Sequence, residues 1–148
     1  MCLDGYTATT TVVAMDQLLR TYRVFSEEMR LRIVMLLTHG ELCVCDMEVL
    51  GEAQSKVSRH LAYLKHSGLV KSRRAGVWMH YSLNDPLDEI AVAHIRSLAE
   101  HTDTIPVFQE DIKKMEDVKR RKLCGSSHPM LPVKNNTPGG GFNERQIH

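Results

Sequence analysis

Apolar residues at Met15, Leu18, Leu19, Tyr22 and Phe25 recur with the spacing of one helical face, so they predict a first helix. Ser26 then offers an N-cap, and Glu27 and Glu28 suit the positive end of the next helix dipole. That second helix turns Met29, Ile33, Leu36 and Leu37 inward and stops at Gly40. A short third helix is expected over about Cys43–Leu50, closed by Gly51. A fourth runs over about Gln54–His66, with Val57, Leu61 and Leu64 as its apolar stripe and Gly68 after it. Two short helices in tandem, the second one basic, fit a helix-turn-helix.

The period then changes. Val77, Met79, Tyr81 and Leu83 alternate as in a half-buried strand, and Leu69–Arg73 precedes them across a turn at Gly76. A basic-tipped hairpin straight after a helix-turn-helix is a wing. Asp85-Pro86 supplies a cap and a first-turn proline for a fifth helix, whose stripe is Leu87, Ile90, Ala91, His94, Ile95 and Leu98. The earlier helices already supply a core, so this stripe and the first helix are expected to face a second copy of the chain. Ile105-Pro106 interrupts the pattern, and Val107–Leu123 predicts a sixth helix with Phe108, Ile112, Met115 and Val118 on one side. The expected fold is mainly α with a small β-hairpin, a homodimeric winged helix-turn-helix. Residues 1–13 form a flexible arm, 14–102 the DNA-binding and dimerisation domain, 103–123 a C-terminal helix, and 124–148, rich in Pro, Gly and Asn, a disordered tail.

Composition narrows the classes without choosing among them. Hydrophobic content of 43% and charged content of 25% are ordinary for a soluble globule. No apolar run reaches the roughly 20 residues a bilayer crossing needs, and the start does not read as a secretory signal. A cytoplasmic protein is therefore expected, its four cysteines reduced thiols and not a disulfide framework. The net charge of +1 hides an uneven distribution. From Gln54 to Tyr81 there are six basic residues, Lys56, Arg59, Lys65, Lys71, Arg73 and Arg74, and no acid. Such a one-sign segment is the footprint of a phosphate-binding face.

Side-chain chemistry assigns that segment to DNA. Gln54, Ser55, Lys56, Ser58 and Arg59 are short or forked and open the fourth helix, where major-groove readout needs them. His60 is a weaker candidate, and Arg73 and Arg74 on the wing suit phosphates or the minor groove. The bland alternative is a solvated basic face.

About ten residues upstream, Cys43 and Cys45 are separated by one residue. Thiolates are soft donors and select soft ions, but two of them do not complete a tetrahedral zinc site. As(III) or Sb(III) needs only two or three. No constitutive cofactor is expected. On a regular helix, positions i and i+2 lie about 200° apart, so both sulfurs can hold one ion only if the start of the third helix distorts. That distortion would weaken DNA binding by linkage. Oxidation, persulfide or another soft metal is the alternative input. A thiol enzyme would want a glycine-rich Cys-to-Arg loop, which the chain lacks.

Met29-Arg30-Leu31-Arg32-Ile33, Glu41-Leu42-Cys43-Val44-Cys45-Asp46, Val57-Ser58-Arg59-His60-Leu61, Ser67-Gly68-Leu69-Val70 and His80-Tyr81-Ser82-Leu83 together resemble the ArsR/SmtB winged-helix repressors, in their arsenical-responsive branch. The resemblance spans about Arg30–Asn84. It implies a homodimer on a palindromic operator, repressing its own resistance operon and released when As(III) or Sb(III) binds Cys43 and Cys45. Some relatives carry a third cysteine where this chain has Glu48. A third donor would then be Cys124, Cys2 or a solution thiol, or would be absent, and Cys124 is the better placed of the two cysteines. Ala53 stands where relatives often have a capping Ser, and Ser55 is the alternative cap. Asp88, His94 and His101 do not reproduce the family's zinc pattern on the fifth helix.

Overall fold

The computed structural model describes residues 4–121; Cys2, Cys124 and the predicted tail lie outside the described residues. Helix α1 spans Asp4–Phe25 and α2 spans Glu28–Leu37. A two-residue strand β1, Leu42–Cys43, leads into a 3₁₀ helix, Val44–Leu50, and then into α3, Gln54–His66. Strands β2, Val70–Ala75, and β3, Trp78–Leu83, form the hairpin. Helix α4, Glu89–Glu100, and a short 3₁₀ turn precede α5, Pro106–Arg121.

Helix α2 is the centre of the packing. Its Ile33, Val34 and Leu37 have no exposed surface, and they meet Leu61 and Leu64 of α3, Ile95 of α4 and Met115 of α5 in one cluster. Each such side chain contributes about 1.5–3 kcal/mol by leaving water. The sheet has the order β1-β3-β2, with Leu42 opposite Tyr81 and Cys43 opposite His80. The wing strand β3 is therefore an inner strand, held on one side by its hairpin partner and on the other by the segment carrying Cys43.

Several expectations are corrected in detail. Helix α1 begins at Asp4 and not near Met15: Gly5 and the threonines are poor helix formers, but no proline interrupts the segment. The N-cap of α2 is Glu27, whose Oε2 accepts from the Arg30 N–H at 3.0 Å, while Ser26 Oγ donates to the Arg23 carbonyl. The predicted fifth helix, α4, starts three residues after Pro86, with Asp88 accepting from the Ile90 and Ala91 N–H groups. Val77 lies in the hairpin turn, 79% exposed, ahead of the strand it was expected to open. His80 is buried on β3 because β1 covers that edge. Ala91 and Ile95 of α4 enter this chain's own core, so only part of that stripe faces outward. Among the described side chains of α1, Thr21 and Val24 are buried, while Met15, Leu19 and Tyr22 stay exposed, as does Ile90 of α4.

Helix α5 is tied down by a polar pair. Arg32 Nε and Nη2 donate to the two carboxylate oxygens of Asp111 at 2.7 and 2.8 Å, and Nη2 also donates to the Leu50 carbonyl at 3.2 Å. This one guanidinium joins α2, α5 and the end of the 3₁₀ helix. Among the described residues, no helix is long and apolar enough to cross a membrane.

Candidate sensor and nucleic-acid interface

Cys43 ends β1 and also caps the 3₁₀ helix. Its backbone is extended, with φ −73° and ψ 152°, so the chain turns sharply into Val44. The Asp46 carboxylate accepts from the Cys43 N–H at 2.8 Å, and Cys43 Sγ accepts from the Cys45 N–H at 3.4 Å. The reciprocal pair is a capping box with sulfur in the place of a hydroxyl. The turn brings the two side chains together: Cys43 and Cys45 are joined as a disulfide, their Cα atoms 5.2 Å apart.

Two expectations change here. The pair is bonded, where reduced thiols were expected. The segment is a strand end followed by a 3₁₀ helix, so the argument from i and i+2 positions on a regular helix does not apply. The sulfurs converge without any helix unwinding. Cys43 is buried and Cys45 half-buried.

Three neighbours of the pair carry no signal in the hydrophobic pattern. Glu41 accepts from Arg73 Nε at 2.8 Å and from Arg73 Nη2, and it lies 3.7 Å from His80 Nδ1. The hydrogen bonds that Arg73 donates to Glu41, with the carboxylate charge, hold the guanidinium above its ordinary pKa. Arg73 was read as a phosphate contact; it is paired with the residue that precedes β1. Asp46 is the second neighbour, through the capping box. Trp78 is the third. It opens β3 and shares with Val44, Cys45, Met47, Glu48, Glu52, Gln54 and Val57 the wall of a cleft of about 400 Å³.

Helix α3 buries Val57, Leu61 and Leu64 and leaves Gln54, Ser55, Ser58 and Arg59 exposed on the other side. Lys56 Nζ donates to Glu52 at 2.8 Å. His60 is half-buried, with Nδ1 3.4 Å from Glu27 Oε2, so it links α3 to the cap of α2 and stands apart from the exposed set. The helix starts at Ala53 with no side-chain cap, so Ser55 does not serve as one. Arg74 folds back on its turn, Nε donating to the Gly76 carbonyl at 3.1 Å.

The end of α5 runs near the cysteine segment. Lys119 is held below its ordinary pKa by desolvation, against the opposing pull of Asp46 and Glu116. His39, at the end of α2, is lowered by desolvation and by Lys119. On α4, Asp88 is spent as the cap, and His94 lies between the Tyr22 and Phe25 rings at 5.0 and 5.5 Å.

The family profile described as "Bacterial regulatory protein, arsR family" matches residues 27–72. The chain is similar to an arsenical resistance operon repressor of Escherichia coli K12, with 47% identity over 68 residues that cover 45% of this chain and 58% of the repressor. It thus spans under two thirds of that relative's length. It is also similar to a cadmium resistance transcriptional regulatory protein homolog of Staphylococcus aureus, 35% identical over 86 residues, covering 54% of this chain and 71% of the homolog. Among solved structures it resembles the homodimeric winged helix-turn-helix DNA-binding domain of Mb0332 from Mycobacterium bovis. The TM-score is 0.54 at 26% identity, over 63% of this chain and 84% of that one.

Proposed function

The chain belongs to the ArsR family of bacterial regulatory proteins, and from that premise we propose that it is an operator-binding repressor of an arsenic-resistance operon, released when As(III) or Sb(III) binds Cys43 and Cys45. The observation that carries this is the convergence of the two sulfurs at the joint between the wing and the support of α3. An ion held between the sulfurs must part them. Cys43 is pinned opposite His80 in the sheet and by Asp46, so the displacement falls on Cys45 and the 3₁₀ helix beneath α3. The ion then favours the conformation with lower DNA affinity, and by linkage DNA and ion oppose one another.

On the DNA side, Gln54, Ser55, Ser58 and Arg59 read bases in the major groove of a palindromic operator, with Lys56 and the wing residues Arg73 and Arg74 on phosphates. Arg73 must exchange Glu41 for a phosphate to do so. The uncapped start of α3 leaves N–H groups suited to a phosphate oxygen. Two copies meet through α1 and α4, where Met15, Leu19, Tyr22 and Ile90 are exposed. A third donor for the ion comes from Cys124, three residues beyond the end of α5, whose Lys119 already senses Asp46.

The experiment is operator binding titrated with arsenite after reduction, on the wild type and on Cys43→Ser, Cys45→Ser and Cys124→Ser. Release should be lost in the first two and weakened in the third. Unchanged operator affinity at saturating arsenite would refute the proposal. The disulfide itself favours a second reading, in which the pair reports oxidation or reactive sulfur. Release by peroxide or persulfide, but not by arsenite, would select it.

A further inference from the structure

We propose that Val77, at the tip of the β2–β3 hairpin, is an apolar wedge that enters the minor groove beside the site read by α3, opens one base-pair step and bends the duplex. This rests on the assignment of the chain as an operator-binding repressor. It names the residue, and the kind of DNA step, that set the preference at the operator flank.

The make-up of the tip points that way. Val77 is 79% exposed, well above the next large apolar side chain, Met15 at 52%. A lone exposed valine is common on protein surfaces, so its neighbours decide what it is for. Gly76, the other residue of the turn, has φ 62° and no side chain, so the tip carries a single one. The cations beside it are turned away. Arg74 Nε donates to the Gly76 carbonyl at 3.1 Å, and Arg73 is held by Glu41. The leading surface of this basic wing is therefore apolar.

The support is in place. A wedge is useful only if the element behind it does not yield as bases unstack. Strands β2 and β3 pair without a break from Val70 opposite Leu83 to Ala75 opposite Trp78, directly behind the tip. The far end of β3 is held on its other side by β1. Trp78, next to Val77, lines the same cleft as Gln54 and Val57 of α3. The tip thus stands beside the helix assigned to the major groove, where the neighbouring minor groove is the surface within its reach.

That groove suits such a residue. It is about 6 Å wide and shows a nearly degenerate pattern of donors and acceptors, so it is read by shape and deformability. An isopropyl group makes no hydrogen bonds; it gains by leaving water between two partly unstacked bases. The cost of unstacking is smallest at pyrimidine–purine steps, TA and CA/TG. Lys71 neutralises phosphates alongside, joined by Arg73 and Arg74 once they leave Glu41 and the turn carbonyl.

The test uses the full chain, reduced, and a short duplex carrying the site that the wild type selects from a random-sequence pool. Energy transfer between dyes at the two ends reports bending. A fluorescent aminopurine placed at successive flank steps reports unstacking, and anisotropy reports affinity against salt. The wild type should bend the duplex and brighten the aminopurine at one flank step. Val77→Ala should lose both signals and bind roughly tenfold more weakly, the worth of two methyl groups left in water, with the salt slope unchanged. Val77→Lys should also lose the bend while its salt slope steepens by about 0.9, as for one more phosphate contact. Replacing the opened step by a stiff A-tract step should weaken the wild type and leave Val77→Ala unaffected. Circular dichroism should match for all three chains, because the position is exposed. A duplex left straight by the wild type, an undiminished bend in Val77→Ala, an aminopurine that stays dark at every flank step, or the same penalty for the stiff step in both chains would each overturn the wedge. If the wild type selects no duplex from the pool, the repressor assignment itself fails and the wedge falls with it.

Discussion

Removal of the Asp111 carboxylate is expected to be among the most damaging single changes on α5. Its side chain is 3% exposed and that of Arg32 is 13% exposed, so water screens the pair poorly. Two charge-assisted hydrogen bonds at 2.7 and 2.8 Å join them. Each such bond contributes about 1.5–3 kcal/mol. Asp111→Ala leaves the largely buried guanidinium with the Leu50 carbonyl and a longer, exposed ion pair to Glu28 at 3.8 Å, so the loss should fall at or somewhat below the roughly 3–5 kcal/mol of a buried pair broken from one side. An exposed pair would lose only about 0–1 kcal/mol. Against a total stability of about 5–15 kcal/mol the loss is large. Urea unfolding followed by circular dichroism should show the midpoint falling by about 1 M or more. Asp111→Asn keeps one acceptor and should lose about half as much. Arg32→Met combined with Asp111→Leu replaces the pair by apolar groups and should return to within about 1–2 kcal/mol of the wild type, the remainder being the Leu50 carbonyl left without its donor. A loss below about 1 kcal/mol in Asp111→Ala, or a double variant worse than either single one, would refute the reasoning.

Other perturbations have separable outcomes. Glu27→Ala removes the α2 cap and the His60 contact and should cost about 1 kcal/mol in thermal unfolding. Ala53→Ser should cap α3 and stabilise the protein by about 1 kcal/mol. If a phosphate uses the same N–H groups, operator affinity at fixed salt should not rise with it. His39 has a lowered pKa when folded, from desolvation first and Lys119 second, so the folded state binds fewer protons than the unfolded one. Its contribution is present above about pH 6.5 and is lost as pH falls through the folded value. The residue is exposed, so water mutes the effect, and the melting temperature of the wild type should drop only slightly more steeply with acid than that of His39→Gln.

The helices that bury a regular stripe were legible in the sequence. Val57, Leu61 and Leu64 placed α3 correctly, and Met29, Ile33, Leu36 and Leu37 placed α2. The hairpin followed from Gly76 and the alternation beyond it. Legibility failed where a short-range backbone contest decides. Leu42-Cys43 reads as the start of a helix until β3 offers a pairing edge, which lies about forty residues away. Once β1 is extended, Cys43 becomes a cap, and the convergence of the sulfurs follows from the turn. Asp111 sits on an otherwise apolar face and gave no sign of its partner, because Arg32 is distant in sequence. Glu41 was visible only as a letter in a motif; its link to Arg73 needs the wing folded against β1.

Residue 43 holds three offices at once. It closes a ladder rung opposite His80, it caps the start of the 3₁₀ helix through its sulfur, and it provides half of the dithiol. Residue 45 supplies the other half of the dithiol, donates its N–H to the Cys43 sulfur and lines the adjoining cleft. An engineer wishing to retune which soft element the protein answers to would therefore keep both cysteines and diversify 44, 48 and 78, which share the cleft wall with 45. The joint that transmits the signal would survive while its chemical input changes.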